Sequence, residues 1–113
     1  MKIIIKTTKF ELTESLTEYI NKRFSPLNKL VNSFEKNGEL ILKIELALST
    51  KHHNKGDVYY VECTLPIAKT IIRIEEYEED MHESIDLAQK RLKLKIEELK
   101  EKVQKKNRGE NVK

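Results

Sequence analysis

Apolar residues in this chain recur in two rhythms. One steps by two residues and the other by three and four, and between them they lay out a succession of strands and helices. The longest helical stripe is Met81, Ile85, Ala88, Leu92, Ile96, Leu99 and Val103, one face of a long second helix. A shorter stripe runs through Leu16, Ile20, Phe24, Leu27, Leu30 or Val31, and Phe34. Thr13 stands before it as an N-cap, with Glu14 and Glu18 in the first turns. Pro26 interrupts this stripe and removes a backbone donor, so the spacing predicts a helix over Glu14–Val31 that bends or splits near Phe24-Ser25. Period-two alternation predicts strands at Lys2–Thr8, Glu39–Thr50, Val58–Leu65 and Thr70–Tyr77. Turns are expected at Asn32–Glu39 and Pro66–Lys69, with a polar loop over Lys51–Asp57. The order is β-α-β-β-β-α, an α+β chain. Its last three strands form an antiparallel meander, and one four-stranded sheet carrying both helices on one face buries both stripes.

Composition changes this picture little. A chain of 113 residues has room for one core. The expected division is a single domain over residues 1–106 and a basic, disordered tail over 107–113. One cysteine, Cys63, leaves no intrachain disulfide. With no secretory leader and no apolar run near the roughly 20 residues that span a bilayer, the expectation is a cytoplasmic protein that does not enter membranes.

Charge changes it more. The net charge is only +3, but Glu75–Asp86 holds seven acids and no Lys or Arg, whereas Leu87–Lys113 holds ten Lys/Arg against four Glu. The order suits the helix dipole and leaves the distal half of the second helix basic. On a helical wheel Arg91, Lys95 and Lys102 fall on one flank of the apolar stripe, and Lys93 and Lys100 on the other. Lys22, Arg23 and Lys29 belong to the exposed side of the first helix. A solvated face with i,i+4 partners such as Glu97 and Glu98 accounts for these bases. So does a two-helix surface that follows a phosphate backbone. No aromatic cluster accompanies them, which favours recognition of folded RNA by shape and phosphate over base stacking.

Other chemistry finds little support. His52-His53 lack the further donors a metal site needs. His82 stands alone near a helix start. Cys63 occupies an inward strand position beside Glu62 and reads as a small core residue. The acids from Glu75 to Asp86 read as helix-start charge and edge protection. The three glycines form no phosphate loop. The expectation is a non-enzymatic chain with no cofactor, no metal and no small-molecule substrate.

Several segments, in order, carry a family resemblance. They are Glu11-Leu12-Thr13 with Leu16, Arg23-Phe24 with Leu27 and Lys29, Thr64-Leu65, and Glu79-Asp80-Met81 with Ile85-Asp86 and Arg91-Leu92. From about Lys2 to Lys100 the chain resembles the short ribosome hibernation-promoting factors, or ribosome-associated inhibitors, of the sigma-54 modulation protein family. The resemblance implies a fold similar to a double-stranded-RNA-binding domain. It also implies binding to the small ribosomal subunit and the whole ribosome near the decoding centre, with steric exclusion of mRNA and tRNA and a chain that is monomeric when free. Arg23, Lys29 and Arg91 match family RNA contacts. Pro26 stands where the family has a third base, Leu94 and Glu98 where it often has Arg and Lys, His82 where it has an aromatic residue, and Ala68-Lys69 in place of a glycine-rich turn. Lys22, Lys93 and Lys95 are neighbours that could restore the charge. The second domain by which longer members pair ribosomes is not expected. A protein-interaction module, or a general double-stranded-RNA binder, on the same fold is the alternative.

Overall fold

A computed structural model describes residues 1–49 and 56–107. The element order is β1 (Lys2–Thr8), α1 (Glu14–Phe24), α2 (Asn28–Val31), β2 (Ile41–Ser49), β3 (Val58–Ile67), β4 (Thr70–Glu78) and α3 (Met81–Asn107). The sheet order is β1-β2-β3-β4. β1 runs parallel to β2, with Ile3 opposite Leu42 and Ile5 opposite Ile44. Such a pair needs a crossover, which α1 and α2 supply. The other two pairs are antiparallel, so the meander is present as the alternation implied.

Both helical stripes meet one face of this sheet. Leu16, Ile20, Phe24, Leu27 and Val31 from the first helical segment are buried with Met81, Ile85, Ala88, Leu92 and Ile96 of α3. Beneath them lie Leu42, Ile44, Leu46, Val61, Cys63, Leu65 and Ile74 from the strands. Leu99 and Val103 are only half-buried. At 1.5 Å per residue α3 spans about 40 Å, longer than any strand beneath it. Its last turns run past the sheet, and the expected stripe fades there.

Pro26 splits the first helix rather than bending it. Ser25–Leu27 forms one 3-10 turn, α2 follows, and Asn32–Phe34 forms a second 3-10 turn where a plain turn was expected. Phe24, Leu27 and Val31 stay buried across the break, so the core contact survives the change of winding. Another boundary needs correcting. Pro66 belongs to β3 rather than to a turn, and the hairpin loop is Ala68-Lys69 alone. Both loop residues have positive φ, 51° and 64°, the pair of values a two-residue hairpin of type I′ demands. Pro66 is tolerated because it sits opposite Ile71, one pair in from the loop-closing Ile67–Thr70 pair. Its nitrogen faces the β2 side, beyond Lys43–Thr64, where the β2–β3 pairing ends.

Candidate nucleic-acid interface

Two caps fix where the helices begin. The Leu16 N–H donates to Thr13 Oγ1 at 3.1 Å, and the Glu83 N–H donates to Asp80 Oδ2 at 3.0 Å. The buried Ser84 hydroxyl donates to the Tyr59 carbonyl at 2.8 Å and ties the first turn of α3 to β3. α1 and α3 then run side by side in the same direction. The Tyr19 ring meets His82 edge-on at 4.6 Å, and one turn further along both helices Arg23 meets Asp86. α2 continues the contact with α3.

This geometry sorts the candidate bases. Arg23 lies between α1 and α3, half-buried, with Nε 3.0 Å from Asp86 Oδ1. Lys93 follows Asp86 by two turns of α3, so it lies on the flank that faces the first helix. Lys22 and Lys29 are exposed on α1 and α2. Among the described residues, Lys22, Lys29 and Lys93 enter no ion pair. Arg91 and Lys95 lie on the other flank. Arg91 Nη1 donates to the Glu75 carbonyl at 2.9 Å and to Glu76 Oε2 at 2.6 Å, which pins α3 to β4. Lys95 stands 3.8 Å from Glu98, a loose contact between exposed groups. Arg23 and Arg91, matched to one family surface by resemblance, therefore sit on opposite sides of α3.

Of two further participants, Tyr19 carries no expectation from the sequence, and Asp86 enters there only as helix-start charge and in the Ile85-Asp86 segment of the resemblance. The Tyr19 hydroxyl donates to Asp86 Oδ1 at 2.5 Å. That bond, aided by burial and the Asp86 charge, raises the Tyr19 hydroxyl above its ordinary pKa. A signal did exist: Tyr19 and Arg23 are four apart, as are His82 and Asp86. It becomes informative only once α1 and α3 are known to be parallel. Three other acids of β4 and the α3 start have individual tasks. Glu76 holds Arg91, Asp80 caps α3, and Glu75 accepts from the Tyr60 hydroxyl at 3.1 Å.

Cys63 is buried in the sheet, and burial, with the Glu62 charge adding to it, pushes its thiol up to about 12. It is a core residue with no thiolate at neutral pH. His82 is exposed beside Tyr19. His52-His53 and the segment 108–113 lie outside the described residues. Among the described residues no three His, Cys, Asp or Glu side chains gather as metal ligands would, and no helix is long and apolar enough to cross a membrane.

Comparison with known proteins agrees with this architecture. Residues 3–104 match the family model described as Sigma 54 modulation protein / S30EA ribosomal protein. The chain is 27% identical over 109 residues to a ribosome hibernation promotion factor of Lactococcus lactis subsp. cremoris, covering 96% of this chain and 55% of that protein. It is 28% identical over 108 residues to the Bacillus subtilis protein of the same name, covering 96% and 53%. The chain thus spans about half the length of these relatives. Among solved structures, the N-terminal domain of Thermus thermophilus Protein Y superposes with a TM-score of 0.70 at 24% identity, over 88% of this chain and 99% of that one. A ribosomal subunit interface protein from Coxiella burnetii gives 0.72 at 14% identity, over 88% and 98%. At these identities the two structures establish the shared fold.

Proposed function

The chain belongs to the Sigma 54 modulation protein / S30EA ribosomal protein family, and from that premise we propose that it is a non-enzymatic ribosome-binding hibernation factor. In this reading it occupies the decoding region of the small subunit and keeps mRNA and tRNA out by filling their space. The observation that carries the proposal is the match over residues 3–104, which takes in every strand and helix but for Lys2 of β1 and the last three residues of α3. The interface is the side where α1 and α2 lie against α3. Arg23, Lys22, Lys29 and Lys93 meet ribosomal RNA there. Arg91 and Lys95 add charge from the far flank of α3. The reading carries with it a cytoplasmic location, a free form that is monomeric, and activity in the domain over residues 1–106.

Co-sedimentation with purified small subunits and whole ribosomes at rising salt tests this. Neutralising four phosphates predicts that the logarithm of affinity falls against the logarithm of salt with a slope of about −3. Stoichiometric, steeply salt-dependent binding is the expected result. No binding at low salt would contradict it.

A second reading draws on the open face of the sheet, where Ile4, Ile41 and Ile71 are exposed. A protein-interaction module using that face would bind its partner with little dependence on salt and after nuclease treatment.

A further inference from the structure

Asp86 is out of place on a surface meant for a polyanion. It sits on the flank of α3 that carries Lys93, and simple electrostatics would have it repel a phosphate. Its surroundings give it another task. One oxygen, Oδ1, takes both the Tyr19 hydroxyl at 2.5 Å and the charge of Arg23 Nε at 3.0 Å. Arg23 Nε is shut off from water and has no aligned hydrogen-bond acceptor. The Asp86 charge is therefore what compensates its burial among the described residues. The Arg23 side chain as a whole remains 35% exposed. Its exposed part therefore excludes Nε, and Nη1 and Nη2 donate no hydrogen bond to any described residue. Tyr19 is held in turn by His82 packed edge-on against its ring.

We infer that Asp86 is a positioning residue for phosphate binding. It anchors Arg23 by Nε, with Tyr19 bracing the carboxylate, so that the outer edge of the guanidinium is presented to one phosphate of the bound RNA. The contact is a charge pairing and not an aligned hydrogen bond, so it fixes where Nε sits rather than the angle of the fork; with Nε held on the inside, the outer edge of the planar guanidinium is the part left toward solvent. An arginine held before it binds loses less rotamer freedom on contact than a free one. An anchored Arg23 thus contributes more than its charge alone, which offsets the local cost of the acid. This inference rests on the ribosome-binding reading and names how one side chain of that site is set.

The test is a double-mutant cycle on the full chain, with purified small subunits as the probe. Asp86→Asn keeps the shape and removes the charge. If Asp86 positions Arg23, Asp86→Asn weakens binding about tenfold in the otherwise native chain; in an Arg23→Ala background, where only the acid's repulsion is left to remove, it leaves binding unchanged or slightly tighter. Where Asp86→Asn fails to fold, Tyr19→Phe takes only the hydroxyl from the cluster. It is expected to weaken binding about threefold with Arg23 present and not at all without it. Binding equal to or tighter than the native chain in Asp86→Asn overturns the inference, because the acid is then merely repulsive. An equal loss in both backgrounds also overturns it, because the effect then runs through the fold. A native chain that does not bind subunits at all overturns the ribosome reading and this inference with it. The first two outcomes leave that reading standing.

Discussion

Arg91 and Lys93 are two residues apart on α3 and have different surroundings. Arg91 bonds a carbonyl and a carboxylate of β4, and Glu76, its acidic partner, is only 13% exposed. Lys93 faces solvent on the side of the first helix with no ion pair among the described residues. Arg91→Ala is therefore expected to lower the free energy of unfolding by about 1 kcal/mol, since a charge-assisted bond to a sheltered acid counts for more than an exposed pair. Lys93→Ala should leave stability unchanged and weaken subunit binding several-fold. Denaturant titration and subunit binding on the two variants check this. The reverse assignment, with stability following Lys93, would contradict the placement. The flanks themselves were legible from the helical wheel, which put Arg91 and Lys93 on different sides of the stripe. Which acid each base meets was not, because that depends on which strand lies under each flank. For the same reason the sequence shows Asp86 only as part of a helix-start charge run.

At the level of elements, period governs and ends are set by local chemistry. The strands follow from alternation, and the two stripes, apart from the last turns of α3, are the buried faces of the helices. The split at Pro26 was legible because a missing N–H has a local effect. The Pro66 boundary was not, because a proline in a strand is tolerated or rejected according to its register and neighbour. The tether between α3 and the sheet was also hidden. Ser84 lies on a buried face among apolar residues, and only the fold brings it to the Tyr59 carbonyl. Ser84→Ala should cost about 1 kcal/mol and lower the melting temperature by about 4 °C, measured by thermal unfolding. An unchanged melting temperature would mean the tether contributes nothing to the attachment of α3.

Taken whole, the molecule divides its work between its faces. One side of the sheet is covered by α1, α2 and α3, and the other is open and mixed, with Ile4, Ile41, Ile71 and Tyr77 exposed among charged neighbours. The open face carries its own pairs, such as Arg73 with Glu62 at 3.5 Å and the Tyr60–Tyr77 rings 4.8 Å apart. Lys22, Lys29 and Lys93 are without ion pairs among the described residues, whereas Glu76 and Asp86 are paired with arginines, so a chain of net charge +3 still offers cations on its helical side. The proposed function rests on the family match over residues 3–104, and these cations are what it would use. The most direct test of steric exclusion is competition at equilibrium. Purified small subunits would be titrated with this protein in the presence of a labelled mRNA and its cognate tRNA. The account predicts mutual exclusion: saturating protein releases both labels, and excess mRNA and tRNA release the protein. A stable complex holding protein, mRNA and tRNA on one subunit would contradict it.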